Sequence, residues 1–423
     1  MPLILAACVS TCLGQPDWAT MEAPILTEHV QLTFPDLFVK AGEAYFSPSG
    51  QHIIFQATPT PAHGSEPGPH YEMYVASLQG YPTRLMEPGP DGAPRPIPAD
   101  ELPRVELRRI IQVSQTGSAN TCGWWHPLEP EVVMFGSTIL PPDAPDKAGY
   151  QRDTGRYRWQ FPAETEIVAG RVRLRGAAGP IAYSPITTPL WKEPGYSAEG
   201  SWSPDGKFVL YTWVNPQTND PDIYLRDPAS GYVTPIVESP GYDGGPFFSP
   251  DGHWITYRSD RRGDNLLQVF IAELSFDDQG RPNGIKREIP LMDNEFVNWG
   301  PFWHPSEAFL VYSTNEAAPE SHNYEVFAID ARATSDTPRK LRLTFAEGFD
   351  GLPAFNRDGS LMMWTSQRGS PAGAGERPSS QIWLAKFNFE AFIEAFHEAG
   401  SSAAQPQDSG STAAPAASHG DHD

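Results

Sequence analysis

The stretch "FFSPDGHWITY", residues Phe247–Tyr257, reads as strand, turn, strand: an apolar approach, a Ser-Pro-Asp-Gly corner and a second apolar run. Asp and Gly suit such a corner because one hydrogen-bonds local backbone and the other tolerates positive φ. The same hairpin recurs as "SWSPDGKFVLY" from Ser201 and "AFNRDGSLMMW" from Ala354. Aligned on the aromatic that precedes the corner, six copies emerge, anchored at Phe46, Trp125, Trp202, Phe248, Trp303 and Phe355. Their corners are Ser47-Pro48, His126-Pro127, Ser203-Pro204, Ser249-Pro250, His304-Pro305 and Asn356-Arg357. Nine residues after the anchor stands another aromatic, at Phe55, Tyr211, Tyr257, Tyr312 and Trp364, and Phe135 joins them if its turn carries one extra residue.

A third strand signal follows each hairpin, in "YEMYVASL" at Tyr71, "DIYLRDP" at Asp222, "LQVFIAEL" at Leu267, "YEVFAID" at Tyr324 and "QIWLAKF" at Gln381. For the second repeat the best candidate is "GRYRWQF" at Gly155. A fourth strand reads in "KREIPLM" and "RKLRLTF". Four short antiparallel strands per unit, with anchors about 46 to 79 residues apart, fit the blades of an all-β propeller. The strands read as apolar runs because radially stacked sheets bury both faces.

Ring closure needs its own signal. The sixth repeat has three strands and then "FNFEAFIEAFHEAG", whose period predicts a short helix over 391–399. Ahead of the first hairpin, Leu32-Thr33-Phe34 corresponds to Leu343-Thr344-Phe345 before the sixth. The N-terminal segment is therefore expected to pair with the last blade around Ile382 to Lys386, which removes the exposed edges.

These repeats resemble the WD-like repeats of the TolB-type propeller family over residues 28–390. The resemblance implies a six-bladed β-propeller of four-stranded antiparallel blades, closed by an N-terminal strand in the last blade. The preferred expectation is a non-catalytic, exported protein that binds a partner protein or peptide in the cell envelope. TolB carries an α/β domain before its propeller, whereas some 27 residues precede the first blade strand here. Related propellers serve prolyl-oligopeptidase-like peptidases and oligogalacturonate lyases, so the alternative is a propeller enzyme, hydrolase or polysaccharide lyase, acting at the channel mouth. The peptidases add an α/β-hydrolase domain with a G-x-S-x-G elbow. The nearest match, Gly195 to Gly200, is one residue off and leads into an inner strand. His126 and His304 replace the corner serine and read as turn caps rather than a catalytic pair.

A formal net charge of −22 over 423 residues argues against nucleic-acid binding, which needs cations to neutralise phosphates. Three cysteines form neither a CxxC nor a zinc-type arrangement. No cofactor is expected, although a cation in the channel is compatible with the acidity. In residues 1–20, Leu5-Ala6-Ala7-Cys8 resembles the bacterial lipobox, making Cys8 a lipidation candidate and the periplasm or envelope the expected compartment. No stretch reaches the roughly 18 apolar residues of a membrane span. An insertion at blade 2 over 138–197 carries Tyr157, Trp159 and Trp191, read as packing on the rim or as a flap. Residues 400–423 are low-complexity and expected to be disordered, and the chain is expected to be a monomer.

Counting back five residues from the anchors gives Asn120, Ser197, Asp243, Asn298 and Asp350, with Ala41 in the first repeat. Glu43 and Glu199 lie two residues further on. Each inner strand begins here, so these side chains are candidates for a polar, acidic channel mouth that binds a cation or a basic peptide segment. The competing reading is that they satisfy backbone groups where the strands enter the ring.

Overall fold

The computed structural model describes residues 17–63, 65–80, 86–88, 94–96, 105–142, 162–173, 184–331, 338–369 and 378–402. Six antiparallel sheets surround one axis, led by the inner strands Phe38–Phe46, Asn120–Trp125, Ser197–Trp202, Asp243–Phe248, Asn298–Trp303 and Asp350–Phe355. Each inner strand packs against the next, and the sixth packs against the first, so the sheets form a closed ring. Blades 1, 3, 4, 5 and 6 are four-stranded sheets. In blade 2 the third strand is Glu166–Arg171. The fourth place is held by the segment around Pro189, which bridges Val168 while the Leu190 N–H donates to the Ile167 carbonyl at 2.8 Å. The third strand is thus not "GRYRWQF", whose residues 155–161 lie outside the described residues. Burial on both faces demands apolar neighbours, which Ile167 and Val168 supply and an Arg-rich segment does not.

The corner chemistry explains the repeat. Ser203 Oγ accepts the Phe208 N–H at 3.0 Å and donates to Asp205 at 2.6 Å, while Gly206 sits at φ 71°. Ser249, Asp251 and Gly252 repeat the arrangement in blade 4. The two histidine corners are caps: His126 Nδ1 accepts the Leu128 and Glu129 N–H groups at 3.2 and 3.0 Å, and His304 Nδ1 accepts the Ser306 N–H at 3.1 Å. Each ring also fills the space beside the next blade's turn glycine, Gly206 for His126 and Gly359 for His304. Burial holds the His304 imidazole down at about 4, so it stays neutral at pH 7. The second aromatics, Phe55, Phe135, Tyr211, Tyr257, Tyr312 and Trp364, are all fully buried between blades. Each contributes about 1.5–3 kcal/mol of apolar transfer.

The last blade is closed from the N-terminus. Leu26–Gln31 pairs antiparallel with Gln381–Phe387, matching Leu26 to Phe387 and Gln31 to Trp383. The pairing strand therefore starts six residues before Leu32. Leu32 and Thr33 still make the contacts that their likeness to Leu343 and Thr344 implied. Leu32 N–H donates to Ile382 and Thr33 Oγ1 accepts from Ile382, at 2.8 and 2.9 Å. Leu343 and Thr344 do the same to Val326, at 2.8 and 2.8 Å. Phe34 is exposed, and its carbonyl accepts the Leu37 and Phe38 N–H groups at 3.1 and 2.9 Å rather than pairing with the last blade.

A short helix, α1 (Trp18–Glu22), precedes this strand, and α2 (Phe389–Ser402) follows the last blade, longer than the sequence suggested. Phe392 and Phe396 of α2 pack on Phe309, with centroids 4.1 and 6.2 Å away. Of the blade 2 insertion, Trp191 packs on Tyr211 at 4.8 Å and donates to Glu193, against the blade 3 rim; Tyr157, Trp159 and Cys8 lie outside the described residues. No described helix is long and apolar enough to cross a membrane.

Candidate functional site

The inner strands share one irregularity. Three residues before each anchor the backbone turns left-handed, at Glu43, Cys122, Glu199, Gly245, Gly300 and Leu352, with φ between 44° and 60°. At the same place each inner strand slips register against its neighbour, as a bulge does. Four of the six are not glycine, and each such residue costs about 1 kcal/mol or more. Hydroxyls from neighbouring strands help hold them: Thr365 accepts the Glu43 N–H, and Ser313 accepts the Leu352 N–H, both at 2.9 Å.

These bulges turn side chains toward the axis and line a chamber of about 430 Å³, counting its opening to solvent. Its floor is aromatic. Tyr45, Trp124, Phe247 and Phe302 occupy the position before the anchor in blades 1, 2, 4 and 5, with centroids 4.8 to 6.1 Å apart. Beside it lies a polar belt of Glu43, Cys122, Glu199 and Arg258.

Glu199 is saturated. It accepts from Tyr242 Oη at 2.8 and 2.9 Å, from Thr212 Oγ1 at 2.9 Å, from the Gly245 N–H and from Arg258 at 3.3 Å. Arg258 reaches the axis from the second strand of blade 4, and a Cβ on Gly245 would collide with its guanidinium. Glycine at that bulge is therefore what admits the arginine. Glu43 is different. It keeps partial exposure, receives Tyr45 Oη at 3.5 Å and makes no ion pair among the described residues. Burial pushes its carboxyl above the ordinary range; the Cys122 thiol and Arg258 oppose the shift and Glu199 adds to it. Burial likewise raises the Cys122 thiol and the Tyr196 phenol, and Tyr71 is pushed up to about 12, so all three remain protonated near neutrality.

The five residues counted back from the anchors do not line this chamber. Each is at most 2% exposed and faces its own blade. Asn120 donates to the Tyr71 and Ser118 carbonyls, and Ser197 to Glu193. Asn298 donates to Gln268, Asn294 and the Phe296 carbonyl. Asp243 takes Arg261 at 3.3 Å, and Asp350 takes Arg368 at 2.7 Å. In both blades the arginine also bonds the serine two residues before it, Ser259 or Ser366, through its own N–H and Nε. This Asp with Ser-x-Arg clamp fixes the start of the inner strand to the end of the second. Burial raises Asp243 to about 6 and also raises Asp350, while the bound arginine opposes each shift.

Arg258 was not among the candidates, yet the sequence carried a sign of it. The residue after the second aromatic is Gln56, Gly136, Thr212, Ser313 or Thr365 in the other blades, and only blade 4 puts a charge there, opposite the Gly244-Gly245 pair. Among the described residues no three His, Cys, Asp or Glu side chains converge closely enough to hold a metal ion.

No protein-family model matches the chain, and no curated protein does. Among solved structures, a TolB protein from Agrobacterium tumefaciens aligns at 16% identity and a TM-score of 0.46, covering 84% of this chain and 92% of that one. TolB from Acinetobacter baumannii aligns at 16% identity and a TM-score of 0.48; 81% of this chain is covered, which spans only 65% of that protein. An oligogalacturonate lyase from Vibrio parahaemolyticus aligns at 9% identity and a TM-score of 0.42, over 86% and 94% of the two chains.

Proposed function

We propose that this ring is a non-catalytic, exported binding module of the cell envelope that docks a partner protein or peptide at the end of the ring where the inner strands begin. The antiparallel order of each blade gathers the loops between strands two and three, and between blades, at that end. The observation that carries the reading is charge. Exposed Glu238, Asp264, Asp293, Glu295, Glu320 and Glu347 lie in those loops. Their neighbouring cations are already committed, Arg262 to Asp264 and Asp293, and Arg261 to Asp243 and Glu288. Such a face draws in a basic partner and repels an acidic one, and salt screens the attraction.

The propeller-enzyme reading has one supporting feature, two chamber glutamates in unequal environments, the pattern that separates an acid from a base. Capture from envelope fractions tests the preferred function. A basic partner retained at low salt and released as salt rises supports it; recovery of acidic oligosaccharide turnover instead supports the enzyme.

A further inference from the structure

We propose that the axial chamber receives a single lysine or arginine side chain of a bound peptide, held between the Glu43 carboxylate and the aromatic floor. This rests on reading the ring as a peptide-binding module, and it names the group that enters. Within the chamber two glutamates face one arginine. Glu199 takes that arginine and three further donors, whereas Glu43 has no ion pair among the described residues. One negative charge is left in a space that screens poorly, so an entering cation meets a partner already in place. The floor supplies the second element. Tyr45, Trp124, Phe247 and Phe302 line the chamber with their rings in mutual contact, and aromatic faces attract ammonium and guanidinium groups most where water is excluded.

Entry of the cation is coupled to a proton. Glu43 faces Cys122, Arg258, Glu199, Tyr45, Tyr71 and Tyr196. Burial and Glu199 hold its carboxyl above the ordinary range, and a cation beside it opposes both. Binding therefore expels a proton when the pH lies between the free and bound titrations. Affinity climbs as pH rises through the free titration and is level above it.

The test uses the full chain and three capped pentapeptides of glycine with a central lysine, arginine or norleucine. Titration by NMR and by calorimetry in two buffers of different ionisation heat reads affinity and proton release. The expected result is that a cationic peptide binds about tenfold or more tightly than the norleucine one, with proton release at mildly acidic pH. Glu43→Gln should lower that affinity about tenfold and abolish the release, with melting unchanged. Equal binding of all three peptides, or none by any, overturns the inference. Should Glu43→Gln fail to fold, proton release by the unaltered chain decides alone. Capture of a basic envelope partner undiminished by Glu43→Gln would leave the docking face standing while this inference falls.

Discussion

The closure seam and the axial chamber are each built from two carboxylates and one arginine, and they differ in what is left over. At the seam Arg368 is wholly buried and bonds Glu22 through both terminal nitrogens at 3.0 Å while holding Asp350 at 2.7 Å. Trp18, Trp364 and Trp383 surround its guanidinium. Glu22 also takes His29 at 2.7 Å and the Phe345 N–H at 3.0 Å. Burial acts to raise Glu22, but His29, Arg368 and Phe345 outweigh it and leave the carboxyl below its ordinary value. Every charge there has an answering group, as an interior requires. In the chamber the arginine bonds one carboxylate, while the other has no ion pair among the described residues and stays only partly exposed beside aromatic rings. A complete network fixes the chain ends; an incomplete one is a place for something else.

The comparison breaks first at the seam. Deleting residues 1–36 removes α1, the outer strand of blade 6 and Glu22 together, exposing a sheet edge and stranding Arg368. The truncated chain should aggregate rather than melt cooperatively, which light scattering during a thermal ramp will show. A melting curve like that of the full chain would mean that the ring closes without this segment.

A sharper cut compares the two Asp clamps. Asp350→Asn sits in the fully buried trio and should cost about 3 kcal/mol in urea unfolding. Asp243→Asn should cost less, about 1 kcal/mol, because Arg261 is partly exposed and keeps Glu288 at 2.8 Å. Equal losses would show that the seam is no more tightly coupled than blade 4.

These clamps also mark what the sequence made legible. The repeat was readable because its signal is local: a Ser, His or Asn corner, in four of the six hairpins a Gly at positive φ, and two aromatics nine or ten residues apart mark each hairpin. Closure was readable because Leu32-Thr33 copies Leu343-Thr344 down to one hydroxyl acceptor. The offset five before the anchor left two readings open, a channel mouth or groups that satisfy the strand start. Alternation along the strand sends Asp243 and Asp350 into the blade, and the left-handed bulge two residues later is what turns Glu43 and Glu199 inward. Glu22 and Arg258 act across 346 and 59 residues of chain, distances that no local pattern encodes.

The smallest expected effect is on pH dependence. Burial, with Asp220, Asp243 and Glu238 nearby, raises Asp222 from 3.8 to about 7. A raised folded value means that the folded chain holds this proton more tightly than the unfolded chain. Its contribution to stability is present below about pH 4 and lost as pH climbs through 7. Asp222→Asn should therefore raise Tm at pH 8 by about 2 °C and change little at pH 4.5. An equal shift at both values would place the effect in packing rather than charge.

The direct test sets the seam glutamate and the chamber glutamate side by side. Urea unfolding at pH 7 is measured for Glu22→Gln and Glu43→Gln against the unaltered chain. The seam variant should lose about 3 kcal/mol, because it uncouples a buried arginine, whereas the chamber variant should lose nothing or gain slightly, because it relieves a buried charge. Equal losses, or a larger loss for Glu43→Gln, would contradict the division between a sealed seam and an open chamber.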